Sequence, residues 1–194
     1  MSHSVELPGG RLRVLQPREA AELPDAGGVE WAPVAAYWGV LWRSGVALAR
    51  ELGSAGLGGR RVVELGCGLA VPSLAAARAG AGVLATDACR DAVELVARNA
   101  DANDLRVETA LVDWREPDEL MARAPFDLVL AADVLYERAS VAPLLSLLPC
   151  LAPETWLADP GRPAADAFLE GAARRWRIDT RVRGVVRVHR LRLR

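Results

Sequence analysis

The chain of 194 residues contains no lysine, only three cysteines and only two histidines. The cysteines, at positions 67, 89 and 150, have no spacing typical of a zinc site or a disulfide framework. With only His3 and His189 to supplement them, we expect no metal site. All 24 basic residues are therefore arginine, a composition typical of GC-rich genomes.

Long apolar runs and a strong net charge are also absent. No apolar run reaches the ~20 residues that a membrane-spanning helix needs. The first residues, Met1 to Glu6, lack the basic flank and apolar core of a signal peptide. The formal net charge of −1 disfavours bulk binding to nucleic acid, although nine arginines fall between Arg174 and Arg194. We therefore expect a cytoplasmic protein with no membrane partner, and nucleic acid is an unfavoured ligand.

The most informative stretch that is present runs from Val62 to Gly68. An apolar run ends on Glu64, two glycines stand one residue apart at 66 and 68, and a second apolar run ends on Asp87 about twenty residues later. This order is typical of a nucleoside pocket at the carboxyl ends of the first two strands of a parallel sheet. Glycine lets the backbone approach a ligand closely, and an acid such as Asp87 can accept hydrogen bonds from both ribose hydroxyls.

Strand-like and helix-like patterns alternate from residue 60 onward, which predicts a parallel α/β sheet. The chain ends differently, because Ile178–Val182 and Val185–Leu193 are separated by too few residues for a crossover helix and must form an antiparallel hairpin. A shift in side-chain alternation between Val188 and Leu191 suggests a bulge or bend. We expect a Rossmann-like, doubly wound, seven-stranded sheet, mostly parallel with an antiparallel last strand and helices on both faces. The other expected strands are 61–65, 82–86, 107–111, 126–132 and 155–158, and the helices lie near 44–52, 71–79, 91–101, 141–149 and 164–175.

The glycine loop departs from the dinucleotide-binding fingerprint, because Val71 stands where a third glycine would permit close packing of helix on strand. The Glu-x-Gly-x-Gly form and the reversed last strand resemble class I S-adenosylmethionine-dependent methyltransferases. That resemblance implies S-adenosylmethionine as cofactor, with S-adenosylhomocysteine as product, held by Glu64, Gly66 and Gly68. It implies further that Asp113 binds the adenine amine and that the indole of Trp114 lies against the adenine ring.

The end of the fourth strand is the position that faces the transferred methyl group. Ala132 ends that strand and is followed by Asp133-Val134-Leu135-Tyr136, without the Asn/Asp-Pro-Pro-Tyr motif of enzymes that methylate bases or glutamine. Asp-x-x-Tyr resembles the protein-lysine methyltransferases of methyltransferase family 16. So does the segment from Tyr37 to Gly45, whose Trp42 the resemblance places against the cofactor. Ala132 is also expected to bind the cofactor.

A third segment, Asp159 to Pro163, looks like the branch of that family that methylates the electron-transfer flavoprotein β-subunit. The resemblance covers residues 31–175 and implies a protein acceptor. It also implies that residues 1–58 form a cap of helix and loop that contributes to the cofactor pocket. Residues 59–194 then form the methyltransferase core, in one structural domain overall and as a monomer.

Asp133 and Tyr136 are the candidate catalytic residues. A carboxylate at 133 can orient an incoming amine and receive its proton, and the ring of Tyr136 can attract a cationic side chain if the segment turns helically.

Other interpretations of these residues remain open. Asp87, Asp113 and Asp133 can each cap a helix or turn, and Trp114 and Tyr136 can belong to the core. The turn at 159–163 can serve structure alone or bring Arg162 to an acidic substrate. The competing functions are a small-molecule amine methyltransferase of nicotinamide type, an RNA methyltransferase, a non-catalytic cofactor-binding module and, remotely, an NAD-binding protein.

Overall fold

The computed structural model describes residues 1–21 and 37–194. Within these ranges the chain forms nine strands, seven α-helices and two 3₁₀ turns (Tyr37–Gly39 and Arg138–Ser140). The strands are β1 Ser2–Leu7, β2 Gly10–Leu15, β3 Arg61–Leu65, β4 Gly82–Asp87, β5 Glu108–Leu111, β6 Leu128–Ala132, β7 Glu154–Asp159, β8 Trp176–Arg183 and β9 Val186–Leu193. The helices are α1 Arg18–Ala21, α2 Arg43–Leu52, α3 Val71–Arg78, α4 Arg90–Asp101, α5 Asp118–Ala122, α6 Val141–Leu151 and α7 Pro163–Ala172.

Seven of the strands form one sheet in the order β5-β4-β3-β6-β7-β9-β8. The strands β3 to β7 pair in parallel, whereas β9 runs antiparallel to both β7 and β8. This confirms the predicted seven-stranded sheet with its reversed last strand. The strand order reverses between β3 and β6, and ligands of such sheets bind beyond the carboxyl ends of the strands at that point.

Side chains of the central strands alternate between two apolar layers, because successive residues of a strand point to opposite faces. In β3, Val62 packs with α2, α3 and α4, whereas Val63 and Leu65 pack with α5, α6 and α7. The helices therefore cover both faces of the sheet, as predicted. Strands buried on both faces appear in the sequence as near-continuous apolar runs, which is why the positions of these strands are predicted well.

The antiparallel hairpin β1–β2 corrects the expectation of only helix and loop in residues 1–58. Its apolar side chains, Val5 and Leu7 on one strand and Leu12 and Val14 on the other, are buried in the layer that contains α2 and α3. This period of two on either side of Pro8-Gly9-Gly10 is a hairpin signal that the sequence does contain.

Asn99 of α4 ties this hairpin to the glycine loop. Its Oδ1 accepts a hydrogen bond from the backbone N–H of Leu15 at 2.6 Å, and its Nδ2 donates to the carbonyls of Leu15 and Leu69. The side chain satisfies a strand edge and a loop at once, and Asn99 is fully buried. The N-terminal hairpin thus braces the loop that carries the two glycines.

The bulge predicted between Val188 and Leu191 is wrong, because the pairing of β9 with both β7 and β8 continues there in unbroken register. Val188 packs in one apolar layer and Leu191 in the other. The alternation is lost because β9 is covered on both faces near its middle. The short helix α5 was also not predicted.

No helix among the described residues is long and apolar enough to cross a membrane.

Candidate active site

A cleft of about 800 Å³ opens beyond the carboxyl ends of β3, β4, β5 and β6. Its volume lies within the range usual for small-molecule and cofactor sites, roughly 300–1,000 Å³. Every residue that the sequence assigns to the site lines this one cleft: Trp42, Glu64, Gly66, Gly68, Asp87, Asp113, Trp114, Ala132, Asp133 and Tyr136.

The two glycines of the loop after β3 both have positive φ, +62° at Gly66 and +50° at Gly68. A Cβ at 66 would lie 3.0 Å from the indole of Trp114, and a Cβ at 68 would lie 2.7 Å from the carbonyl oxygen of Trp38. Any larger residue would therefore be strained and would clash with Trp114 or with the backbone of Trp38. Both glycines line the cleft and present backbone to it without a side chain.

Glu64 lies buried beneath this loop at the end of β3. Its Oε2 accepts hydrogen bonds from the backbone N–H and the hydroxyl of Ser73, in the first turn of α3. A carboxyl group there satisfies one of the N–H groups that a helix leaves unpaired at its N-terminus. Burial raises the pKa of Glu64 from its ordinary value of 4.5 to about 8.

Replacing Glu64 with glutamine is expected to stabilise the fold relative to the wild type increasingly as the pH rises from 5 to 8. An acid whose pKa is raised on folding binds its proton more tightly in the folded state, so it stabilises the fold below the unfolded pKa and loses that contribution as the pH rises through the folded pKa. Glutamine does not ionise and keeps an oxygen for Ser73. Thermal melts of both proteins across this range should show the difference in free energy of unfolding growing by more than ~1 kcal/mol, the equivalent of about one pKa unit. A difference independent of pH would show that burial does not raise this pKa.

Asp87 ends β4 and faces the same loop. Its Oδ2 accepts a hydrogen bond from the backbone N–H of Gly68 at 2.9 Å, and its Oδ1 accepts one from the N–H of Cys89 at 2.9 Å. Burial raises the pKa of Asp87 above its ordinary value. Each carboxylate oxygen has a further lone pair, so the group can hold the loop and still accept hydrogen bonds from a bound ligand.

Asp113 and Trp114 follow β5 and form the next part of the wall. Hydrogen bonds from the Arg115 side chain, and from its backbone N–H at 2.9 Å, lower the pKa of Asp113 to about 2. The carboxylate is therefore ionised, while its side chain remains 35% exposed on the cleft. Arg115 hydrogen-bonds both oxygens of this carboxylate, so an amine beside the indole of Trp114 would share the carboxylate with Arg115.

An aromatic wall closes the opposite side of the cleft. The rings of Tyr37 and Trp42 stack with their centroids 6.4 Å apart, and the indole N–H of Trp42 donates to the carbonyl of Tyr37 at 3.2 Å. Trp42 begins α2 and lies on the cleft, where the resemblance puts it. Trp31, the first residue that the resemblance covers, lies outside the described residues.

Asp133 lies directly after β6 with φ +59°, a left-handed conformation that is uncommon for residues other than glycine. Its backbone N–H pairs with the carbonyl of Ala158 at 2.8 Å, and the residue is only 8% exposed. Its Oδ1 accepts a hydrogen bond from Nε of Arg162 at 2.6 Å. Its Oδ2 accepts a hydrogen bond from none of the described residues, which leaves that oxygen for an incoming group.

Arg162 reaches Asp133 because hydrogen bonds to the side chain of Asp159 fix the turn after β7. Oδ1 of Asp159 accepts hydrogen bonds from the backbone N–H groups of Gly161 and Arg162, and its Oδ2 accepts one from Nε2 of His189 at 2.9 Å. The other ring nitrogen of His189 is hydrogen-bonded to the hydroxyl of Thr180 at 2.8 Å. Burial raises the pKa of Asp159, but the hydrogen bonds from His189, Gly161 and Arg162 outweigh it and the pKa lies below its ordinary value.

Tyr136 lies at the rim of the cleft and is 63% exposed. The helical turn that would bring it alongside Asp133 is absent, because residues 133–137 form no helix and the next 3₁₀ turn begins at Arg138. Val134 and Leu135 are buried between the two. Tyr136 therefore lies at the exposed edge of the cleft, whereas the carboxylate of Asp133 is buried.

Sequence reasoning missed the partners of the predicted residues rather than the residues themselves. Ser73, Arg115 and Arg162 each hold one of the predicted acids. Arg115 lies two residues after Asp113, a spacing that local hydrogen bonding favours. The pairing of Arg162 with Asp133 joins two loops whose residues are 29 positions apart, so no local sequence pattern predicts it.

The chain is similar to known proteins in sequence and in fold. A sequence model described as lysine methyltransferase matches residues 34–156. The protein N-lysine methyltransferase METTL21A of Danio rerio is 33% identical over 116 residues, which are 56% of this chain and 53% of that protein. The electron transfer flavoprotein beta subunit lysine methyltransferase of Xenopus laevis is 32% identical over 145 residues, 70% of this chain and 54% of that protein. The chain thus spans about half the length of these two relatives.

Two further likenesses concern a different acceptor and the fold. The histone-arginine methyltransferase METTL23 of Mus musculus is 26% identical over 181 residues, 88% of this chain and 67% of that protein. The T. thermophilus 16S rRNA N2 G1207 methyltransferase RsmC, in complex with AdoMet and guanosine, superposes with a TM-score of 0.69 at 20% identity over 100% of this chain and 50% of that one. This last likeness confirms the fold. With its family model matched over more than half its length, the chain belongs to the lysine methyltransferase family.

Proposed function

We propose that the chain is an S-adenosylmethionine-dependent N-methyltransferase whose acceptor is a lysine side chain of a protein. The observation that carries the proposal is the buried carboxylate of Asp133, which lies at the end of β6 in the same cleft as the glycine loop. Its relatives METTL21A and the electron transfer flavoprotein enzyme, both named as lysine methyltransferases, support the same acceptor.

The residues of the cleft fit the cofactor. The loop at Gly66 and Gly68 lines the cleft with backbone and no side chain, and Asp87 has lone pairs to spare for ribose hydroxyls. Asp113, ionised beside the indole of Trp114, suits the exocyclic amine of adenine. The buried Val71 at the start of α3 fills the place of the third glycine that a dinucleotide site requires, which disfavours NAD.

The cofactor supplies an electrophilic methyl group on a sulfonium, and the protein must bring a nucleophile to it in line. A lysine ammonium becomes a nucleophile only after it loses a proton. Oδ2 of Asp133 can accept a hydrogen bond from the amine, orient its lone pair and receive the proton directly or through water. A carboxylate also stabilises the ammonium form, so Asp133 acts first as a positioning group and second as a base.

Arg162 gives Asp133 a partner before any acceptor arrives. Its guanidinium compensates the charge of a carboxylate that is almost fully buried, which would otherwise be costly to desolvate. An acceptor amine can therefore enter and donate a hydrogen bond to Oδ2 while Oδ1 remains bound to Arg162. At the entrance, the ring of Tyr136 offers a face to a cationic side chain, worth about 0.5–2 kcal/mol.

A protein arginine is the second candidate acceptor. The contact between Arg162 and Asp133 shows that this end of the cleft accommodates a guanidinium against the carboxylate. The relative METTL23 is named as a histone-arginine methyltransferase. A small-molecule amine and RNA are weaker alternatives. For RNA, the chain's likeness to an rRNA enzyme is a likeness of fold alone.

The class of cofactor is tested by thermal melting with S-adenosylhomocysteine and with NADH. A ligand at 100 times its Kd stabilises the folded state by ~2.7 kcal/mol, which for a chain of this size raises Tm by roughly 5–10 °C. We expect that rise with S-adenosylhomocysteine and no change with NADH. Stabilisation by NADH alone would overturn the proposal.

A further inference from the structure

A second cleft, of about 470 Å³, lies against the outer part of the sheet away from the glycine loop. Its walls come from the end of α2, the loop before β3, and the strands β7, β8 and β9. Six arginines and two glutamates line it: Arg50, Arg60, Arg181, Arg183, Arg190, Arg192, Glu51 and Glu154. The formal excess is four positive charges, in a protein whose net charge is −1.

Strand geometry places four of these arginines on one face. Arg190 and Arg192 lie on the same face of β9 as Val186 and Val188, because alternate residues of a strand share a face. Arg181 and Arg183 of β8 pair directly opposite Val188 and Val186. Residues that pair directly across an antiparallel ladder share a face, so all four point to the side that α2 covers. A sheet margin that uses charge only to stay soluble has no need to gather its cations around one cavity.

The carboxylate of Glu51 holds three of these guanidiniums in place. Glu51, 8% exposed, accepts hydrogen bonds from Arg183 at 2.6 Å, from Arg190 at 2.8 Å and from Arg181 at 3.4 Å. Burial raises the pKa of Glu51, but the three guanidiniums outweigh it and the pKa lies below its ordinary value. Glu51 neutralises one of the three guanidiniums, and the exposed Asp179 lies 3.9 Å from Nε of Arg181, so at least one positive charge remains beside Glu51, already fixed in position.

Arg190 is the most restricted of these arginines. Its guanidinium stacks on the ring of Trp156 with 3.8 Å from Cζ to the ring centroid, and its side chain is 19% exposed. Its Nε is buried and donates a hydrogen bond to none of the described residues. Arg190 is therefore a preorganised part of the cleft wall, and the guanidiniums of Arg181 and Arg183, 46% and 47% exposed, offer N–H donors that suit an anion.

We propose that this cleft docks an acidic segment of a polypeptide, that of the protein acceptor. The identity of the partner rests on the proposed function, whereas the anion preference rests on the cleft. The forked guanidinium matches the two oxygens of an aspartate or glutamate side chain. Nucleic acid is less suited, because Trp156, the one aromatic residue among the described lining residues, is 3% exposed and covered by Arg190, so no base can stack on it.

The helix α2 connects the two clefts. Gly45 in its first turn lines the candidate active site, and Glu51 near its end lines the arginine cleft. Arg162, three residues after β7, lines the candidate active site, and Glu154, the first residue of β7, lines the arginine cleft. The clefts are therefore separated by about the length of that strand, roughly 17 Å at ~3.3 Å per residue, which an extended polypeptide segment can span. An acidic patch near the target residue of the acceptor would then guide it to Asp133.

The test is fluorescence anisotropy with a labelled ten-residue peptide that carries six glutamates and no lysine, measured at 50 mM and 300 mM salt without cofactor. R181Q/R183Q removes two guanidiniums and leaves Arg190 to pair with Glu51, so the fold keeps its buried ion pair. R174Q/R175Q makes the same change of charge at exposed positions outside the cleft. We expect R181Q/R183Q to raise the Kd at least fivefold at low salt and R174Q/R175Q to raise it less than twofold. Higher salt should weaken binding by the wild type because surface charges are screened beyond about 10 Å at 0.1 M.

Equal effects of the two pairs of substitutions, or absence of saturable binding by the wild type, would overturn the proposal. Tighter binding of a ten-nucleotide labelled RNA, lost in R181Q/R183Q, would replace it with a nucleic-acid site. R181K/R183K keeps the charge but loses the fork, so we expect its Kd to lie between those of the wild type and R181Q/R183Q, which separates recognition from a folding defect. Peptide binding by a wild type that fails to bind S-adenosylhomocysteine would refute the proposed function and leave the docking site standing.

Discussion

Asp133→Asn is expected to lower methyl transfer at least 100-fold while the Kd for S-adenosylhomocysteine changes less than threefold. Asparagine has the size of aspartate and tolerates the positive φ of this position better than alanine would. It places an uncharged amide where the amine must be oriented and deprotonated, and loss of such a group typically costs 10²–10⁴ in rate. Transfer of tritiated methyl groups to lysate protein measures the first quantity, and titration calorimetry the second.

Asp101→Asn provides the matched control for this loss of charge. Asp101 ends α4 on the exposed surface and lines neither cleft. Its transfer rate and cofactor affinity should equal those of the wild type. If Asp133→Asn retained more than a third of wild-type transfer, the catalytic assignment of Asp133 would be wrong.

Asp87→Ala is expected to weaken binding of S-adenosylhomocysteine about 100-fold, or ~2.7 kcal/mol. The substitution removes the proposed acceptor for the ribose hydroxyls and frees the backbone N–H of Gly68, so among the described residues only the hydrogen bond from the N–H of Cys67 to the carbonyl of Thr86 still ties the glycine loop to β4. Hydrogen bonds to a charged group contribute about 1.5–3 kcal/mol each, which sets this magnitude. Because burial already disfavours the charged form of Asp87, its removal should affect the unliganded fold less than it affects binding.

Titration calorimetry with S-adenosylhomocysteine tests this expectation, with Asp91→Asn as the control. Asp91 lies four residues further on, exposed in the first turn of α4, and does not line the cleft. An Asp87→Ala protein that bound the cofactor product as tightly as the control would show that Asp87 serves only the loop.

The sequence predicts the sheet and the floor of the cleft well, because both follow from short-range patterns. Buried parallel strands read as apolar runs, and the acids and glycines that end them fall at one edge of the sheet by construction. Glu64 and Asp87 lie at the ends of β3 and β4, and Asp113 and Asp133 follow β5 and β6 within two residues, so their shared cleft needs no further information.

What the sequence could not reveal are contacts between segments far apart in the chain. Arg162 meets Asp133 only because His189 of β9 holds Asp159 and shapes the intervening turn. Glu51 gathers arginines that lie about 130 residues further along the chain. The hydrophobic pattern of β9 suggests a bulge that is absent, because apolar layers cover both faces of this strand. Such coverage depends on tertiary packing.

The most direct test of the account is amino-acid analysis of protein labelled by the enzyme with tritiated S-adenosylmethionine in a cell lysate. The chain contains no lysine, so methyl-lysine side chains in the hydrolysate come from an acceptor and not from the enzyme. The account predicts label in ε-N-methyllysine, abolished by Asp133→Asn and retained in Asp101→Asn. Label confined to methylarginine would move the acceptor to the second candidate, and label found only in RNA or in small molecules would contradict the account.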